Sequence, residues 1–70
     1  MENIDDYFDK LNNDILEAST PKALKVLTKR TKKLYKMLIH NKVTKGLKTQ
    51  IHKQYINSLN LITNMYSKVS

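Results

Sequence analysis

Apolar residues recur every three or four positions in three separate runs of this chain, the period of an amphipathic helix that buries one face. The first run is Ile4, Tyr7, Phe8, Leu11, Ile15 and Ala18, confined to about a third of the helix circumference, with acids over much of the rest. It predicts a helix over residues 3–18. Asn3 reads as its N-cap, and Glu2, Asp5 and Asp6 lie where the positive end of the helix dipole favours anions.

Ser19, Thr20 and Pro21 interrupt the pattern. Thr20 suits an N-cap and Pro21 the first helical position, where a missing N–H costs no hydrogen bond. The second helix is expected over 21–40, with the stripe Leu24, Leu27, Thr31, Leu34 and Leu38 flanked by Thr28, Tyr35 and Ile39. Val26 and Met37 form a minor apolar seam beside Arg30. A second break runs from Asn41, a residue that tolerates the left-handed conformation of many helix ends, to Gly46, and Thr44 can cap the next helix. The third helix is expected over 45–68. Its stripe, Leu47, Ile51, Tyr55, Ser58, Ile62, Met65 and Val69, alternates steps of four and three from Ile51 onward, a heptad seam broadened by Leu59, Leu61 and Tyr66.

One glycine and one proline cannot supply the turns of an all-β chain. The fold class is therefore all-α: a small antiparallel three-helix bundle in a single domain of 70 residues, an acidic helix (1–18) joined to a basic helical hairpin (19–70). At about 1.5 Å per residue the helices would measure roughly 22, 30 and 36 Å. The third exceeds its neighbours, and an apolar stripe longer than its cover invites a second copy. A homodimer is expected through Ile51, Tyr55, Leu59, Ile62, Met65, Tyr66 and Val69.

Charge sharpens the division between segments. All six acids lie in the first 17 residues, where Lys10 is the single base, a net of −5; residues 18–70 hold twelve bases and no acid. A bias toward A-rich codons would raise Glu together with Lys, so the missing carboxylates need another cause, and an anionic partner supplies one. On the second helix Lys22, Lys25, Lys29, Lys32 and Lys36 step by three and four along the side opposite the leucines, with Arg30 and Lys33 widening the arc. Lys42, Lys45 and Lys48 continue it past the loop. These ten residues are the candidate nucleic-acid-binding set, because a phosphate backbone neutralises such a surface and releases counterions. Lysine is a point charge suited to backbone contact, whereas base edges are read by Arg forks and by Asn or Gln amides. Base readout would fall to Arg30, Asn41, Gln50 or Gln54, so binding is expected to be largely independent of sequence.

Leu38 to Leu47 has the outline of a helix-turn-helix, although helices of about 20 and 24 residues are long for that motif. The competing function is a protein-interaction module, an adaptor, assembly factor or inhibitor of the viral or mobile-element kind, with an acidic protein surface as partner. Catalysis is not expected: no carboxylate follows Glu17, the chain has no cysteine, and His40 and His52 stand too far apart for a metal motif. No cofactor, metal or phosphate-cradling glycine loop is implied. No stretch reaches the 18 or so apolar residues of a membrane span, and the acidic N-terminus is unlike a signal peptide. The expectation is a regulatory, non-enzymatic protein inside the cell, cytoplasmic, or at the nucleoid or nucleus if bound to DNA.

Overall fold

The computed structural model describes residues 4–41 and 44–69. Three helices succeed one another, α1 (Ile4–Glu17), α2 (Pro21–His40) and α3 (Lys45–Val69), with no strand among the described residues. The bounds agree with the hydrophobic periodicity to within a residue. Ala18 stands just outside α1, its N–H donating to Ile15 O at 3.1 Å, and α3 runs one residue further than expected. The N-cap assigned to Asn3 lies outside the described residues.

The helix starts have the chemistry their residues suggest. Thr20 is extended (φ −134°, ψ 151°), and its hydroxyl accepts from Ala23 N at 3.1 Å with Pro21 opening the helix. Thr44 does the same for α3, its hydroxyl accepting from Leu47 N at 3.3 Å. The end of α2 differs from expectation. Asn41 has φ −72° and ψ 150°, so α2 ends in extended backbone rather than in a left-handed cap. Asparagine's tolerance for that conformation is a local preference that this helix end does not use.

The helices run up, down and up. Asp14 of α1 meets Arg30 of α2, and Tyr7 lines the same groove as Met37, which sets α1 and α2 antiparallel. Tyr35 of α2 meets His52 and Tyr55 of α3, again antiparallel, while Asp5 and Asn12 meet Gln54 and Ser58 in parallel. The core joins Phe8, Leu11 and Ile15 to Leu24, Leu27 and Leu38 and to Ile51, Ile62 and Met65. These are positions of the three stripes. Helix α3 packs against both neighbours, and α1 and α2 meet each other more sparsely. The bundle measures 39 × 20 × 14 Å.

Two hydroxyls are fully buried in this core. Thr31 donates to Leu27 O at 2.8 Å within its own helix, and Ser58 donates across the bundle to Asn12 Oδ1 at 2.7 Å. Among the described residues, no buried side-chain nitrogen or oxygen lacks a partner.

Candidate nucleic-acid interface

The lysines of the α2 stripe stay exposed after folding. The leucines of α2 turn inward, so at 3.6 residues per turn Lys22, Lys25, Lys29, Lys32, Lys33 and Lys36 emerge on the outer side, all exposed. None of them forms an ion pair with a described carboxylate. Lys45 and Lys48 are exposed in the first turn of α3, which begins where α2 ends. Lys48 precedes His52 by four residues and so lies on the flank of α3 that faces α2. Lys42 lies outside the described residues.

Arg30 stands apart from the lysines. Its guanidinium nitrogen lies 3.2 Å from Asp14 Oδ2, tying α2 to α1 with half its side chain still in solvent. The amides singled out for base readout are committed in the same way. Gln50 Nε2 and Gln54 Nε2 both donate to Asp5 Oδ1, at 3.1 and 3.0 Å, on the flank of α3 that meets α1. Of the four candidate readers, Asn41 alone is exposed without such a bond.

The acids divide into two sets. Asp6, Asp9 and Glu17 are exposed on α1, whereas Asp5 and Asp14 are half-buried and bridge to α3 and α2. Sequence reasoning placed the acids of α1 mostly outward and missed these two bridges and that from Asn12 to Ser58. A signal was present: Gln50 and Gln54 flank the Leu47–Ile51 stripe at a spacing of four, as Asp5 and Asn12 flank that of α1.

The seven residues expected at a dimer seam on α3 all pack inside the protomer. Ile51, Ile62 and Met65 are buried, and Tyr55, Leu59, Tyr66 and Val69 are half-buried against the same core. Antiparallel pairing carries the first turn of α2 up to the end of α3, where Pro21, Lys22 and Lys25 border Tyr66. The stripe thus packs on the protomer's own core as far as Tyr66 and Val69, which stay partly exposed. Tyr35 stacks on Tyr55 with ring centroids 4.2 Å apart, and its hydroxyl lies 3.4 Å from His52 Nδ1, so these rings form the seam between α2 and α3.

No group of three or more His, Cys, Asp or Glu side chains converges as a metal site among the described residues, and no described helix is long and apolar enough to cross a membrane. Fold and surface together define a class: a small three-helix bundle with a cationic outer face on α2, acids on α1, and mainly amides and hydroxyls on α3. Comparison with protein-family models, characterised proteins and solved structures returns no match.

Proposed function

We propose that this protein binds the phosphate backbone of DNA or RNA through the outer face of α2, largely without regard to base sequence, and that it is non-enzymatic. One observation carries the reading: six exposed lysines on one helical face have no carboxylate partner among the described residues. A merely solvated face ordinarily mixes signs. From Lys22 to Lys36 the stripe extends about 21 Å, and duplex DNA presents one phosphate per about 1.7 Å of axis, so each lysine has several phosphates within reach. The engagement of Arg30, Gln50 and Gln54 with acids of α1 supports sequence independence, since those forks and amides are the groups that read base edges.

The test is a binding titration of random-sequence duplex DNA and duplex RNA against wild type and a Lys25→Glu, Lys29→Glu, Lys32→Glu variant. These side chains are exposed, so helical circular dichroism should be unchanged while affinity falls by at least about 100-fold at low salt. If the variant binds as well as wild type, the lysine face is not the site. If wild type binds neither duplex but binds an acidic protein surface, the protein-interaction reading takes its place.

A further inference from the structure

On the side away from α3, α1 and α2 leave an open groove of about 470 Å³ between them. Its floor is apolar, with Tyr7 on one wall and Leu34 and Met37 on the other, and Asp6, Arg30 and Lys33 stand at its rim. Met37 is 52% exposed and Val26, on the same flank of α2, 54% exposed. Large apolar side chains rimmed by charge on a small polar protein mark a surface that meets another.

Geometry and charge indicate what fits. Tyr7 and Met37 stand at the same level of the bundle on opposite walls, because both line the groove and the two helices are antiparallel. A two-fold axis parallel to the helices would therefore set Met37 of a second copy against Tyr7, and Tyr7 of the second copy against Met37. The same axis faces each α1, which carries the exposed acids Asp6 and Glu17, with the other copy's α2, which carries Lys29 and Lys33. Lys10 is the one cation of α1 at this rim. A two-fold axis running across the helices would instead oppose α2 to α2, cation against cation. Electrostatic complementarity selects the first arrangement.

We propose that the chain self-associates as an isologous dimer through the α1/α2 groove, with acidic α1 of each copy against basic α2 of the other. The face that would be buried is set by α1 and α2, about 21 and 30 Å long, so the interface falls at or below the roughly 800 Å² that a standard interface takes from each partner. Lys25, Lys32 and Lys36 lie about 100° or more around α2 from Met37, so the dimer leaves them in solvent. Self-association therefore neither requires nor excludes nucleic-acid binding.

Sedimentation equilibrium without nucleic acid tests it. Wild type should dimerise, and Met37→Lys, at a half-exposed position, should weaken association at least about tenfold with helical circular dichroism unchanged. Glu17→Lys and Lys29→Glu should each weaken the dimer, and the double variant, which restores opposite charges across the interface, should recover most of the loss. A wild type that stays monomeric at about 200 µM, a dimer indifferent to Met37→Lys, or a double variant no better than the single ones would overturn the proposal.

Discussion

Thr31 and Ser58 are both fully buried hydroxyls, yet they do different things. Ser58 joins α3 to Asn12 of α1, so Ser58→Ala leaves Asn12 Oδ1 short of a donor and should destabilise by about 1 kcal/mol. In a bundle this small that lowers the thermal midpoint by roughly 4–8 °C. The Thr31 hydroxyl donates to a carbonyl of its own helix, and Thr31→Val should change stability by less than Ser58→Ala; an equal loss would mean that hydroxyl has a larger role. Gly46 sits in the first turn of α3 with nothing within 4 Å of where a Cβ would stand. Its backbone does not use the left-handed region, so Gly46→Ala should stabilise by about 0.4–1 kcal/mol, chiefly by restricting the unfolded chain. Urea midpoints compared at constant m-value measure all three.

At the scale of the elements, α2 owes its start to Thr20. Thr20→Ala removes the acceptor of the Ala23 N–H and should cost about 1 kcal/mol, whereas Thr20→Ser should retain most of the stability. Amide exchange in the first turn of α2 reports the loss locally; an unchanged rate there would separate the cap from helix stability. The same residues explain what was legible in the sequence. Thr20 with Pro21, Thr44, and the leucine and isoleucine stripes fix three helices and their core, because capping and periodicity are local rules. The lysine face was legible for the same reason, being the complement of a leucine stripe. Which flank of a helix meets which neighbour depends on packing between elements, and no single run encodes it. Asp5 and Asp14 therefore look like outward acids in sequence and become bridges in the fold. The heptad seam of α3 shows by itself that something covers the stripe, and packing shows α1 and α2 doing so along its length.

At the scale of the molecule, a formal charge of +7 summarises a surface that is strongly divided. The bundle holds the exposed acids on α1 and, on α2, lysines that pair with no described carboxylate, and Asp14 reaches Arg30 rather than the outer lysines. Within one protomer acidic α1 thus leaves the cationic face uncovered, and in the proposed dimer Lys25, Lys32 and Lys36 stay in solvent to meet a polyanion. The central claim, that this face neutralises phosphates, is tested most directly by the salt dependence of binding to a random-sequence duplex DNA. If about five or six lysines displace counterions, log affinity should fall linearly with log salt concentration, with a slope near −5 that flattens by about three units in the Lys25, Lys29, Lys32 variant. Absence of binding at about 50 mM salt, or an affinity indifferent to salt, would contradict the account.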